Sequence, residues 1–164
     1  MSENKLKEVL ERQQNKQNDD VHIEETLHII CFMIGNEEYA VPILNIKEIV
    51  KPIEYTRVPA VPDYVLGVFN LRGTVLPLIN MRLKFGLSAI KQDADTRYLI
   101  INQQDEMIGF MIDKLTGAVR IPQSDIEPIP ESFNENQNLL RGIGKREDRL
   151  ITILRVENLL KRTF

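Results

Sequence analysis

The chain of 164 residues is long enough to bury one sizeable apolar core, or two small and intimately packed units, and is not an obvious two-domain enzyme. Hydrophobic residues make up 43% and charged residues 27%, the balance of a soluble globular protein, which argues against disorder of the whole chain. A net charge of −3, with acidic and basic side chains interleaved, supplies no basic stripe for a polyanion, so nucleic acid is not an expected partner.

Residues 1–25 are polar and rich in Gln, Asn and charge, with only Leu6, Val9 and Leu10 at helical spacing; a flexible arm with a short fraying helix is expected. The ordered part starts at Leu27. Leu27 to Ile34 is apolar at nearly every residue, meets Gly35-Asn36 and resumes as Tyr39 to Ile43, which predicts a hairpin. Ile29 to Ile34 is too short to cross a bilayer and lacks signal-peptide flanks, so a cytoplasmic chain without membrane insertion is expected. The lone Cys31 inside this run reads as a small buried hydrophobe.

Pro42 lacks a ladder donor and predicts an edge or bend, after which Leu44 to Val50 is a kinked continuation or a short helical turn. Pro52, Pro59 and Pro62 forbid a long helix between Val50 and Val65. Val65 to Ile79 predicts a second hairpin that turns at Leu71-Arg72-Gly73, Asn80 to Phe85 a short helix stopped by Gly86, and Ala89 to Asp95 a polar linker.

The rest of the chain repeats this pattern. An offset of 69 positions lays Ala40-Val41-Pro42-Ile43 on Gly109-Phe110-Met111-Ile112, Ile46 on Leu115 and Val50 on Val119. An offset of 71 lays Val58-Pro59 on Ile129-Pro130, and one of 75 lays Gly67-Val68 on Gly142-Ile143, Val75-Leu76 on Leu150-Ile151 and the helix on Val156 to Leu160. The expected fold is mainly β: two pseudo-symmetric small barrels of about five strands with short helices, at about 27–87 and 96–160, packed as one domain over 26–164. Identities are few, so two unrelated strand-rich halves are the alternative.

Catalytic groups are scarce. His22 falls in the arm and His28 in a strand, which makes a solvated residue and a barrel-edge residue of them rather than a metal pair. Glu37-Glu38 reads as turn chemistry, and Gly142-Ile143-Gly144-Lys145 lacks both the upstream glycine and the Ser or Thr of a phosphate loop, Arg146 standing there instead. No catalytic residue, metal or cofactor is expected. An OB-type nucleic-acid barrel is the competing reading; it needs exposed aromatics on a basic face, whereas aromatics are 6% here and Phe32, Phe69 and Phe110 lie in apolar strands.

GNEEYAV (35–41), PILNIKEIV (42–50) and GVFNLRGTVLPLINMRLKFGL (67–87), with GFMIDKLTGAVRI (109–121) and GIGKREDRLITILRVENLL (142–160), resemble the CheW family of chemotaxis coupling proteins in order and spacing. The resemblance is centred on the Asn70 to Gly73 turn. It implies two five-stranded barrels and a non-catalytic scaffold that joins the cytoplasmic tips of methyl-accepting chemoreceptors to the regulatory domain of the histidine kinase CheA. Such a protein is cytoplasmic and is recruited to receptor arrays at the inner face of the membrane. The related CheV proteins add a receiver domain, for which there is no room in these 164 residues; a CheV-like coupling segment alone would still fit.

By resemblance, a receptor helix lies in a crevice between the units against Ile43, Ile46 and Gly67, with Glu48 and Arg72 forming an ion pair that holds the Asn70 to Gly73 turn. Ile43 and Ile46 would equally serve as ordinary core, and Glu48 and Arg72 as two solvated charges. The resemblance places no kinase-binding residues.

Overall fold

Pro42 and Asp113 mark the two places where this chain leaves one β-sheet for another. The computed structural model describes residues 25–130, 132 and 139–159. His22, the expected arm before Glu25 and Leu160 lie outside them. Over the described residues the strands run β1 (Thr26–Ile34), β2 (Glu37–Pro42), β3 (Ile46–Val50), β4 (Tyr55–Thr56), β5 (Val65–Leu71) and β6 (Thr74–Asn80), closed by helix α1 (Met81–Lys84). They continue as β7 (Arg97–Gln103), β8 (Glu106–Ile112), β9 (Lys114–Pro122), β10 (Ile126–Glu127), β11 (Leu140–Arg146) and β12 (Arg149–Leu154), closed by helix α2 (Val156–Leu159). Short 3-10 turns occupy Ile43–Asn45 and Gln123–Asp125. Asn80 caps α1 by accepting the Leu83 N–H, and Gly86, at φ 80, stops it.

The strands form two six-stranded sheets, each with five longer strands and one two-residue strand. Sheet I has the order β3-β7-β8-β6-β5-β4 and sheet II the order β10-β11-β12-β2-β1-β9. The sheets therefore do not coincide with the sequence units 27–87 and 96–160. Hairpin β1–β2 joins sheet II, where β2 runs parallel to β12, and hairpin β7–β8 joins sheet I, where β8 runs parallel to β6. The reason is local. Pro42 ends β2, the three-residue turn after it delivers the chain straight to β3 in the other sheet, and Asp113 alone separates β8 from β9.

The repeat holds at the level of strand register. Ile29 faces Pro42 as Tyr98 faces Met111, and Ile29 faces Val119 as Tyr98 faces Val50. Gly67 faces Leu78 as Gly142 faces Ile153, each pair next to an irregularity of the same kind, between Val65 and Gly67 or between Leu140 and Gly142. Unrelated halves would not reproduce pairing at those offsets.

Hairpin exchange also explains why β1 and β7 are nearly continuous apolar runs instead of alternating ones. Tyr98 and Ile100 face the interior of sheet I with Phe69, Leu76 and Leu78, while Leu99 and Ile101 face a cluster shared by both sheets. That shared cluster unites Phe32, Ile34 and Val41 with Ile79, Phe110 and Leu154, so packed side chains fill the centre of the junction where the sequence suggested an open crevice. Sheet II has its own interior of Ile29, Cys31, Ala40, Ile121, Ile151 and Ile153.

At Gly67 and Gly142 the missing side chain is used inside the chain. A Cβ on Gly67, at φ 153, would lie 2.0 Å from the Thr56 carbonyl oxygen, and one on Gly142 would lie 2.9 Å from that of Glu127. Gly67→Ala is expected to lower stability by about 1–3 kcal/mol or more in denaturant titrations, the range of overpacking, and an unchanged midpoint would contradict this packing. Cys31 is fully buried and desolvation, then the nearby Glu38 carboxylate, pushes its thiol up to about 11. The folded protein should resist thiol reagents at pH 8 and react promptly once unfolded.

Candidate functional site

The hairpin between β5 and β6 turns at Arg72 and Gly73, both at positive φ (51 and 87), the pattern of a two-residue turn that matches strand twist. The Asn70 Oδ1 accepts the Gly73 N–H at 2.8 Å and stiffens the turn from within. Arg72 reaches from this turn to Glu48 on β3 with two parallel bonds, Nη1 to Oε2 at 2.6 Å and Nη2 to Oε1 at 2.8 Å. Since β3 stands first and β5 fifth in the order of sheet I, the pair ties one edge of the sheet to the hairpin near the other.

Arg72 is 72% exposed and Glu48 25%. The Arg72 hydrogen bonds hold the Glu48 carboxyl below its ordinary range, against a smaller opposing effect of desolvation. A pair this exposed adds little to global stability, so its effect is on the shape of the turn.

The six residues singled out from the sequence do not all meet. Asn70, Arg72 and Glu48 form one polar unit. Ile43, 40% exposed, lies in the 3-10 turn that crosses from sheet II to sheet I, and Ile46, half-buried, packs its side chain on the shared cluster, closer to the core reading. Gly67 is set apart, its α-carbon covered by Thr56.

Sequence reasoning missed Leu44, Val75 and Leu150. Leu44 is 95% exposed, and Val75 and Leu150, at matching positions of the hairpins β5–β6 and β11–β12, are exposed to nearly the same degree. The repeat held the signal for that match, because Val75 and Leu150 align in it. It also pairs Leu44 with Asp113, the other crossing residue. Asp113 Oδ2 accepts the Gly35 N–H at 2.8 Å and the Arg82 Nη1 at 2.6 Å.

The Glu48–Arg72 pair has no counterpart in sheet II. The matching positions hold Gly117 and Glu147, the latter again at positive φ (56). Sheet II is tied instead by the Arg146 guanidinium donating to the Arg120 carbonyl at 2.8 Å, and by an Arg149–Glu38 pair that Thr116 also joins. Gly142 to Lys145 is plain strand within β11, and Lys145 pairs with Glu127 at 2.8 Å. Among the described residues no cluster of His, Cys, Asp or Glu is arranged to hold a metal ion, and no helix is long and apolar enough to cross a membrane.

Comparison with known proteins gives the same answer from sequence and from structure. The CheW-like domain family matches over residues 28–164. The fold is similar to the crystal structure of the scaffolding protein TtCheW from Thermoanaerobacter tengcongensis, with a TM-score of 0.73 and 28% identity over 79% of this chain and 88% of that one. This places the chain among the chemotaxis scaffolding proteins. The chemotaxis protein CheW of Helicobacter pylori is 60% identical over 98% of this chain and 99% of its own length, and that of Bacillus subtilis 35% identical over 77% and 81%. The chain belongs to the CheW family.

Because the Glu48 pKa is depressed by Arg72, the contribution of the pair is present above the ordinary glutamate pKa of about 4.3 and is lost as pH falls through the lowered value. An NMR titration of the Glu48 carboxyl should give a midpoint below that of an exposed glutamate, and Arg72→Ala should raise it. A midpoint indifferent to Arg72 would contradict the bidentate geometry.

Proposed function

We propose that this chain is a non-catalytic coupler that holds the cytoplasmic tip of methyl-accepting chemoreceptors and the regulatory domain of a CheA-type histidine kinase together, in arrays at the inner face of the membrane. The observation that carries the receptor assignment is the one-sided Glu48–Arg72 pair. A feature required by the fold would stand in both sheets, since the strand registers repeat, yet it stands only in sheet I, whose lead-in turn exposes Ile43 and Leu44. Apolar residues beside a shaped polar turn suit an amphipathic receptor helix, which takes its affinity from apolar anchors and its orientation from the rim.

In this reading Ile43, Ile46, Glu48, Asn70 and Arg72 form the receptor surface, and Gly67 contributes by letting β4 lie close on β5 at Thr56. Leu44 joins that surface as its most exposed apolar residue. The hairpin tips at Val75 and Leu150 give each sheet an equivalent apolar end, which suits a kinase domain built of similar sheets and met from either end. Residues 26–164 act as one unit, because each sheet depends on a hairpin from the other half of the sequence.

Glu48→Arg and Arg72→Glu are each expected to weaken binding of a receptor signalling-tip fragment by at least about tenfold, and the charge-swapped double variant to recover part of the loss. A double variant no better than the singles would remove the pair from the site. Leu150→Glu should weaken binding of the isolated kinase regulatory domain in calorimetry while leaving the receptor fragment unaffected. No kinase binding by the unmodified chain at micromolar concentrations would overturn the coupling function.

A further inference from the structure

Residues 1–24 lie before the first described residue, and the only apolar side chains between Ser2 and Asp20 are Leu6, Val9 and Leu10. Spaced at i, i+3 and i+4, the three share one face of a helical turn. Such a turn is too short to persist alone in water, and its polar segment holds nothing else for it to pack on. The fold offers an apolar surface to match. At the first crossing Ile43 and Leu44 are 40% and 95% exposed.

Strand register sets this crossing beside the point where the chain enters the fold. The last pair of β1 and β2 is Ile29 with Pro42, so Thr26 to His28 run on past the end of β2 while the chain turns through Ile43–Asn45 against β1. Ile43 thus follows Pro42 at the level of His28, about 10 Å along the strand from Glu25. The Glu25 carbonyl accepts the Gln123 N–H at 2.8 Å and fixes that point of entry. The other exposed apolar residues are remote from it. Leu150 precedes Ile151, which pairs with Glu38, and Leu87 lies against Gly35, so both stand at the opposite end of β1, about 30 Å away. Val75 lies in sheet I, which β1 does not join, and Ile90 follows the helix of that sheet.

Leu10 stands 15 positions before Glu25, a span of up to about 50 Å when extended, so reach does not limit a contact with the crossing. A tether of that length keeps the three aliphatic residues at an effective concentration of about 1 mM around the turn. A contact with an intrinsic Kd of about 1 mM, a modest requirement for three aliphatic side chains, is then formed in about half of the molecules.

We infer that Leu6, Val9 and Leu10 fold back onto Ile43 and Leu44 of the same chain and compete with the receptor helix for them. The contact follows from register and tether length, whereas the competition rests on the receptor reading of that surface.

The test is paramagnetic relaxation NMR on the full chain with a nitroxide at position 4, introduced by Asn4→Cys. Cys31 is fully buried, so the label goes to position 4 alone. Broadening should be strongest at the amides of Leu44 and Asn45. It should fall at least about twofold in Leu6→Glu/Leu10→Glu, altered only before the described residues, and in Leu44→Gln, altered at a side chain open to solvent. A solvated arm would broaden the same amides equally with and without its apolar residues, so broadening indifferent to both variants overturns the contact, as does broadening centred on Leu87, Val75 or Leu150. Broadening of isotope-labelled chains by separate spin-labelled ones would assign the contact to a second copy and overturn it too. In calorimetry with the receptor signalling-tip fragment, Leu6→Glu/Leu10→Glu should bind about two- to fivefold more tightly than the unmodified chain, and equal affinity overturns the competition. A chain that shows the contact but binds no receptor fragment in either form contradicts the receptor reading, and the competition with it, and leaves the contact standing.

Discussion

The Asp113 carboxylate is the contact on which the two-sheet arrangement turns. It sits on the single residue between β8 of sheet I and β9 of sheet II, and it accepts from the Gly35 N–H in sheet II and from Arg82 on α1. Its own N–H donates to the Met33 carbonyl, so the crossing is stitched to β1 from both sides. Asp113 and Arg82 are each 18% exposed, where a charge-assisted pair is shielded enough from water to hold geometry and where losing one partner strands the other. With this crossing pinned, the hairpins can be exchanged and the shared cluster of Phe32, Ile79, Phe110 and Leu154 can close.

The second crossing reverses that logic. Leu44 occupies the position matching Asp113 and is open to solvent. One crossing is sealed by the fold and the other is left apolar and open, next to the Glu48–Arg72 pair. An approximately symmetric scaffold thereby acquires two different faces, as the proposed coupling of two different partners would require. The exposed ion pair is poorly suited to stabilising the fold and well suited to shaping a turn.

Much of this was legible in the residues. Both hairpins, the bend at Pro42, the short helix after Asn80 and the repeat with its offsets come from turn chemistry and apolar patterning, and the inert setting of Cys31 comes from its neighbours. The exchange of hairpins was not legible: a strand's pattern reports which faces are buried, not which distant strand buries them, and two halves with equal registers offer equivalent edges. The Glu48–Arg72 pair spans 24 positions, and only family resemblance pointed to it. Leu44 and Val75 are hidden from a sequence reading because an apolar residue in an apolar run gives no sign of facing outward. Family resemblance makes Gly67 a place for a partner to approach, whereas Thr56 takes that room.

Co-sedimentation tests the coupling function most directly: receptor-bearing membranes, the kinase and this chain are mixed, and the pellet is assayed for kinase with and without the chain. The account predicts that the kinase pellets with the membranes in proportion to added chain, and that Arg72→Glu lowers this recruitment while the chain still binds kinase in solution. Kinase recruitment that is independent of the chain, or a chain that pellets without bringing the kinase, would contradict it.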